Sequence, residues 1–267
     1  MTLSGPALWA LRAAVAAVLA VIYVPLLVVV ISSLNPDTTF SWPPQGLTLH
    51  WWQSAWSNSG ARRAVAASAR VGLLATAVAL VLGTLASFAL QRYSFFGRST
   101  ISLLIVLPIA LPGIVTGLAL QNAFRTILGV DLSIWTLVIA HSTFCIVVVF
   151  NNVAARLRRL GPSVEEASLD LGATRWTTFR LVTFPPLRSA LLAGALLAFA
   201  LSFDEIIVTQ FTAPADIQTL PLWIFANLFR PNQAPIVNVV GTVLIVASII
   251  PIYLSQRLSG DVTGGRL

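Results

Sequence analysis

Long apolar stretches alternate with short polar ones along almost the whole chain. A helix needs about 20 mostly apolar residues to cross the roughly 30 Å of membrane hydrocarbon. Six stretches reach that length, at about residues 8–33, 64–90, 100–122, 132–155, 189–211 and 234–254. A backbone in lipid must satisfy its own hydrogen bonds, so each stretch is expected to be a helix. The pattern predicts an all-α integral membrane protein with six transmembrane helices, in a single domain over residues 1–267.

The first stretch also resembles a secretory signal peptide, because it is apolar and close to the start of the sequence. The apolar core of a signal peptide is usually about 7–15 residues long. This stretch carries no charge between Arg12 and Asp37, and it contains Tyr23 and Pro25. We therefore expect a retained transmembrane span.

Two other stretches have features that affect helix packing. Gly72 and Gly83 belong to a series of small residues in the second stretch, and small residues let membrane helices approach closely. The third stretch contains Pro108, Pro112 and Gly113. These residues predict either a broken helix that lines a pathway through the membrane or a kinked helix that only packs.

Composition supports the membrane prediction and excludes several functions. The chain is 57% hydrophobic and 9% charged, whereas soluble domains carry about 25% charged residues. The net charge of +7 comes from arginines concentrated in the predicted loops, so we expect no nucleic-acid partner. Cys145 is the only cysteine, which excludes a disulfide framework and a thiolate metal cluster, and we expect no metal site.

The arginines also predict the orientation, because cytoplasmic loops are enriched in basic residues. If the N-terminus is cytoplasmic, the cytoplasmic arginines are Arg12, Arg92, Arg98, Arg156, Arg158, Arg159, Arg175, Arg180, Arg188, Arg257 and Arg266. The other side and the span edges then hold Arg62, Arg63, Arg70, Arg125 and Arg230. Both termini and the segment 156–188 are therefore predicted to be cytoplasmic.

Residues 156–188 form the longest polar segment of the chain, and their pattern predicts two short helices in water. Ser163 and Glu166 have the spacing of a capping box. Gly172 is suited to the left-handed position that ends a helix. Thr174 is expected to cap a second helix that stops at Pro185-Pro186. A solvated loop with no partner is the alternative interpretation.

Asp204 and Glu205 are the only acids inside a predicted span. In a continuous fifth helix, Asp204 would lie about 22 Å from Ser189 along the axis. A charge at that depth costs at least about 2.5–3.5 kcal/mol unless it is paired or faces water. Neighbouring residues of a helix point in different directions, so at most one acid should point straight into a pathway. That both acids are satisfied scaffold charges remains open.

Three further residues are candidates for lining the same pathway: Thr116, His141 and Thr209. No second histidine or carboxylate stands at metal-ligand spacing from His141. A lone histidine of this kind is more often a hydrogen-bonded packing residue than a ligand.

The polar segment resembles the cytoplasmic coupling loop of ABC importer permeases, whose signature is E-A-A, three residues, G, nine residues, I-x-L-P. The matching positions are Glu166, Ala167, Gly172 and Pro185, and the departures are Ser168, Val182 and Phe184. The resemblance implies a type I importer permease fold in which this loop contacts an ATPase. The contact residues implied are Glu165, Glu166, Ala167, Ser168, Asp170, Leu171, Gly172, Ala173 and Pro185.

The runs 107–113, 141–145 and 202–208 look like those of the second permease of spermidine/putrescine importers. This resemblance implies a heterodimer with a second permease, two ATPase subunits and an extracytoplasmic binding protein, in a bacterial inner membrane. It also implies that the acids near Asp204 meet a cationic amine. Relatives that import 4-aminobutyrate or other small amines share these runs, so the solute remains open.

The chain has no P-loop and no lysine, so it is expected to bind no cofactor and to leave ATP and Mg²⁺ to the partner ATPase. A membrane-embedded enzyme is disfavoured, because Asp204, Glu205 and His141 are its only titratable candidates. A channel or secondary transporter would explain the buried acids but not the coupling motif.

Overall fold

The computed structural model describes residues 5–38 and 41–263, with side chains up to residue 249. Every regular element in these residues is helical, which confirms the predicted all-α class. The helices are α1 (Gly5–Ser32), α2 (His50–Ser57), α3 (Ser59–Arg92), α4 (Arg98–Ala110), α5 (Gly113–Asn122), α6 (Ile134–Leu160), α7 (Ser163–Asp170), α8 (Arg175–Thr178), α9 (Phe184–Phe203), α10 (Ile207–Thr212), α11 (Leu220–Asn227) and α12 (Ala234–Thr263). Two π-helical turns, Ala123–Ile127 and Phe179–Thr183, follow α5 and α8 directly.

The described residues contain four helices that are long and apolar enough to cross a membrane. They are α1, α3, α6 and the continuous helical run Arg175–Phe203. A fifth candidate is the pair Arg98–Ala110 and Gly113–Ile127, whose halves are bent by 108°. A shorter apolar helix, Ala234–Ile249, lies where the sixth span is predicted. The exact count of six spans therefore stays a prediction.

The third predicted span is broken rather than kinked. α4 ends at Ala110, and Leu111 adopts an extended conformation with φ −84° and ψ 144°. The proline ring of Pro112 disfavours the helical conformation at the residue before it, and Pro112 has no amide hydrogen to donate. Pro108, by contrast, remains inside α4.

The chain divides into two compact units, of which one contains the residues up to Arg62 and those from Ile224 onward. In this unit α12 packs against α1 and α2. The indole Nε1 of Trp51 donates a hydrogen bond to the backbone oxygen of Asn35 at 3.0 Å. No residue of α1 is buried, so its apolar side chains are available to lipid or to another subunit.

The second unit, Arg63–Trp223, is organised around α6, which has 14 buried residues. α9 packs along α6, and α3 approaches it closely at Gly83. A Cβ atom on Gly83 would lie 3.0 Å from the backbone oxygen of Ile146 and 3.0 Å from Val149 Cβ. The predicted close packing of the second span is confirmed at this glycine. The prediction of a single domain stays a prediction.

Candidate functional site

The polar segment forms two helices joined by a tight turn, and Gly172 makes the turn possible. Its φ is +87°, which is strained for residues with a side chain. The amide of Gly172 donates to the oxygen of Leu169 at 2.9 Å, and the amide of Ala173 donates to that of Ser168 at 3.1 Å. This pair of bonds is the Schellman motif. The predicted left-handed helix end is confirmed.

The predicted capping box at the start of α7 is wrong. Pro162 occupies the N-cap position and has no side-chain hydrogen bond to the helix, while Ser163 is already the first helical residue. The amide of Glu166 donates to the backbone oxygen of Pro162 at 3.0 Å. The Ser163 hydroxyl therefore lies one position too late to serve as the cap.

The cap predicted at Thr174 is confirmed, but the predicted stop at Pro185-Pro186 is wrong. The hydroxyl of Thr174 accepts a hydrogen bond from the amide of Thr177 at 3.2 Å. The helical run then continues to Phe203. The amide of Phe184 donates to the oxygen of Phe179, five residues back, so the two prolines begin a new α-helical register. Proline is tolerated there because the first amides of a helix need no intrahelical acceptor.

Glu165 is bound within the chain instead of facing outward. Its carboxylate accepts from Arg92 Nε at 2.8 Å and from Arg92 Nη2 at 3.0 Å, which is a bidentate ion pair. The hydroxyl of Thr183 donates to the same carboxylate at 3.0 Å. The sequence predicts neither pairing, because Arg92 lies 73 residues from Glu165 and no local pattern marks the contacts.

The other predicted coupling residues form a mostly exposed surface. Exposed residues are Glu166, Ala167, Asp170, Leu171, Gly172 and Pro185, and Ser168 and Ala173 are half-buried. The Ser168 hydroxyl lies 3.0 Å from that of Thr178, which joins α7 to α8. Leu171 is 89% exposed and Trp176 is 69% exposed. Exposed apolar side chains are typical of surfaces that contact another protein, and the predicted contact of this surface with an ATPase stays a prediction.

The predicted fifth span is interrupted at the two acids. α9 ends at Phe203, residues 204–206 form a break, and α10 begins at Ile207. The expectation of a continuous helix through Asp204 is therefore wrong. Glu205 Oε1 accepts a hydrogen bond from the amide of Val208 at 2.8 Å, so its half-buried carboxylate caps α10. A carboxylate at a helix N-terminus satisfies amides that the break leaves free.

His141 joins the two sides of this break. Its imidazole is fully buried, with Nδ1 2.7 Å from the hydroxyl of Ser202 in α9 and Nε2 2.9 Å from that of Thr209 in α10. The Thr209 hydroxyl already donates to the backbone oxygen of Glu205 at 2.8 Å. It must therefore accept from Nε2–H, and Nδ1 accepts from Ser202. This network makes His141 a hydrogen-bonded packing residue.

The remaining candidates lie beside the network. Asp204 is exposed, and no hydrogen bond or ion pair to its carboxylate is found among the described residues. Thr116 is 9% exposed and lies on α5, which packs against α10. A Cβ atom on the neighbouring Gly117 would come within 2.7 Å of the Phe211 ring. The structure thus connects Glu205, Thr209 and His141 directly, and Thr116 through helix packing.

Residues 79–262 match the family described as the binding-protein-dependent transport system inner membrane component. The chain belongs to this family. It is therefore a multi-pass, non-catalytic permease component that works with a solute-binding protein and with separate ATPase subunits.

Individual relatives agree with the family. The chain is 31% identical over 249 residues to the spermidine/putrescine transport system permease protein PotC of Escherichia coli strain K12, covering 93% of each chain. It is 31% identical to the E. coli K12 putrescine permease PotI, covering 88% of this chain and 87% of PotI. These relatives confirm the resemblance that the motifs predicted.

Two further matches concern another solute and the fold. The chain is 31% identical to the putative 2-aminoethylphosphonate permease PhnV of Salmonella typhimurium strain LT2, covering 84% of this chain and 86% of PhnV. A bacterial ABC transporter that imports alginate has a similar structure, with a TM-score of 0.70 and 16% identity over 98% of this chain and 99% of that one. At that identity the structural match supports the fold alone.

Proposed function

We propose that this chain is one of two different permease subunits of an ATP-driven importer of polyamines such as spermidine and putrescine. The observation that carries the proposal is the similarity to PotC along 93% of both chains. The break at Asp204 and Glu205 adds a physical reason, because carboxylates near the path favour a polycation. Two ATPase subunits and an extracytoplasmic binding protein complete the complex in the bacterial inner membrane.

The surface of α7 and the following turn is the proposed contact with the ATPase, with both chain termini on the same cytoplasmic side. Glu166, Asp170 and Leu171 are exposed on this surface. When ATP closes the two ATPase subunits, α7 moves with them and tilts the attached spans, opening the path outward. Hydrolysis returns the path to the inward side. ATP and Mg²⁺ bind to the partner, and this chain holds no cofactor of its own.

Proposed roles along the path follow from the surroundings of each candidate. Asp204 is exposed, so its carboxylate is free to meet an ammonium group. Glu205 is half-buried and already accepts an amide, so it combines capping with a share of the negative charge. Thr209 and His141 are fully buried and bonded to each other, so their proposed role is to hold the break in shape beside the path, next to Thr116 on α5.

The test is ATP-dependent uptake of labelled spermidine into vesicles that contain the whole complex and its binding protein. Asp204→Asn and Glu205→Gln remove one charge each, and Asp216→Asn is the matched control because Asp216 is exposed outside the break. We expect at least a tenfold loss of uptake in one of the first two variants, with ATP hydrolysis retained. Equal uptake by all three variants would contradict a path lined by these acids.

A second candidate solute is a small zwitterionic amine, such as 4-aminobutyrate or 2-aminoethylphosphonate. The 31% identity to PhnV over 84% of this chain supports it, since the identity to PotC is also 31%, over 93% of this chain. Both solute classes carry a primary ammonium group that a carboxylate can bind. Uptake of the zwitterion without uptake of spermidine by the wild-type complex would keep the importer and replace the polyamine.

A further inference from the structure

The last residue of α3, Arg92, holds the first turn of α7. The guanidinium and the Glu165 carboxylate form two parallel hydrogen bonds of 2.8 and 3.0 Å. The two side chains are only 14% and 21% exposed. Bidentate pairs that are shielded from water are stronger and more specific in direction than exposed ion pairs. This contact is therefore a firm attachment between the second span and the polar segment.

The same two side chains also bind the elements on either side of α7. Arg92 Nη2 donates to the backbone oxygen of Gly161 at 3.2 Å, directly after α6. The Glu165 carboxylate accepts from Thr183, the last residue of the π-helical turn before α9. The Arg92–Glu165 pair thus joins the ends of α3 and α6 to the start of the run that leads into α9.

Side-chain packing leaves space around this pair. A cavity of about 400 Å³ lies between α3, α7 and α8, with Phe88, Arg92, Glu165 and Phe179 among its lining residues. Phe88 and Phe179, which both line it, contact each other edge to face, with ring centroids 5.9 Å apart. Beside this space, the ion pair makes a direct side-chain contact between α3 and α7.

The adjacent glutamates of α7 are in different environments. Glu166 is exposed, whereas the carboxylate of Glu165 is occupied by Arg92 and Thr183. We propose that Arg92 and Glu165 are positioning residues that transmit the movement of α7 to α3, so that the second span moves together with α6 and α9. Glu166 remains available to the ATPase. This inference rests on the proposed function, and it adds α3 to the elements that the ATPase moves.

The first test measures the number of ATP molecules hydrolysed per solute imported by the full complex in vesicles. Arg92→Gln and Glu165→Gln each break the ion pair, and the double variant Arg92→Glu with Glu165→Arg reverses it. The matched control is Arg98→Gln, because Arg98 is an exposed arginine at the start of α4, just beyond the connection that follows Arg92. We expect at least a fivefold rise in ATP used per solute in both single variants. The reversed pair should recover at least half of the lost uptake, and the control should behave as wild type.

A purely structural role predicts a different pattern. If the Arg92–Glu165 pair only stabilised the fold or seated the ATPase, solute uptake and ATP hydrolysis would fall by the same factor. The number of ATP molecules hydrolysed per solute imported would then stay constant. That result would overturn the proposal, as would a ratio in Arg92→Gln equal to that of Arg98→Gln. Arg92→Lys is the milder variant if Arg92→Gln does not assemble. It keeps the charge but cannot make the bidentate contact, so a raised ratio is expected there too.

The second test does not depend on the solute. Spin labels on Val164→Cys in α7 and Leu85→Cys in α3 occupy exposed positions, and the native Cys145 is buried. In the complex with an intact Arg92, we expect the distance between the labels to stay the same with and without bound ATP. In Arg92→Gln it should change with nucleotide. A nucleotide-dependent change in the distance with Arg92 present would overturn the proposed role of the Arg92–Glu165 pair. Failure of spermidine uptake with a constant distance would overturn only the polyamine proposal.

Discussion

Replacing His141 with leucine should destabilise the chain mainly through hydrogen bonding. Leucine has a similar volume, so the cavity left in the core of the second unit is small. The imidazole makes two bonds, of 2.7 Å to Ser202 and 2.9 Å to Thr209. Side-chain hydrogen bonds between membrane helices contribute on average about 0.6 kcal/mol and at most about 1.7 kcal/mol each. The expected loss is therefore about 1.2 kcal/mol, with a ceiling of about 3.4 kcal/mol.

The two partners should not contribute equally. Thr209 keeps its own donated bond to the oxygen of Glu205 at 2.8 Å, whereas Ser202 loses the acceptor of its only hydroxyl hydrogen. Ser202 is 3% exposed, so its orphaned donor is costly. In the His141→Leu background, Ser202→Ala should therefore lower the free energy of unfolding only slightly. In the wild-type background the same substitution should be destabilising.

A double-mutant cycle measures this coupling directly. The assay is the free energy of unfolding in mixed detergent micelles for wild type, His141→Leu, Ser202→Ala and the double variant. We expect a coupling free energy of about 0.6–1.7 kcal/mol. Ser189→Ala is the control, because Ser189 is exposed on the same helix and should show no coupling to His141. Coupling below about 0.3 kcal/mol, the level at which independent sites add, would refute the assigned network.

Three further predictions use the same unfolding assay or the transport assay. Gly83→Val should lower the free energy of unfolding by about 1–3 kcal/mol, because its side chain must enter the contact with α6. Ala77→Val, at an exposed position of α3, should change this free energy by no more than about 0.5 kcal/mol. Gly172→Val should cost about 1–2 kcal/mol by forcing a β-branched residue to φ +87°, and it should lower uptake more than ATP hydrolysis. Glu205→Ala should lower the free energy of unfolding by about 0.5–2 kcal/mol more than Glu205→Gln does. The side-chain oxygen of glutamine can still accept a hydrogen bond from the backbone amide of Val208. Equal stability of Gly83→Val and Ala77→Val, or of Glu205→Ala and Glu205→Gln, would count against these assignments. So would a Gly172→Val complex in which uptake and ATP hydrolysis fall by the same factor.

The apolar pattern was sufficient to predict where the long helices lie and that the class is all-α. The pattern is read over about 20 residues, so it averages over local details. Gly172 and Thr174 were also predictable, because a left-handed helix end and a hydroxyl cap depend on a few neighbouring residues. The break around Pro112 left two interpretations, since a proline can kink a helix or end it.

Other features depended on the register of the backbone, which the sequence pattern does not reveal. Pro185 and Pro186 were expected to end a helix, but the π-helical turn before them changes the hydrogen-bond partners by one residue. The break at Asp204 was missed because the apolar run continues on both sides of it. The only local signal was the pair of acids itself, which was interpreted as a charge inside a helix and not as a cap.

The two interrupted spans pack against each other, which gives a physical reason for the position of the candidate path. α5 follows the bend after Ala110, and α10 follows the break at residues 204–206. Gly113 faces Ile207, where an added Cβ would lie 3.5 Å from the Ile207 side chain. Breaks leave backbone groups free, and at membrane depth such groups are tolerated only where protein or a wet cavity satisfies them. Glu205 satisfies one of these groups from within the chain, and the exposed carboxylate of Asp204 leaves the same point open to a cation.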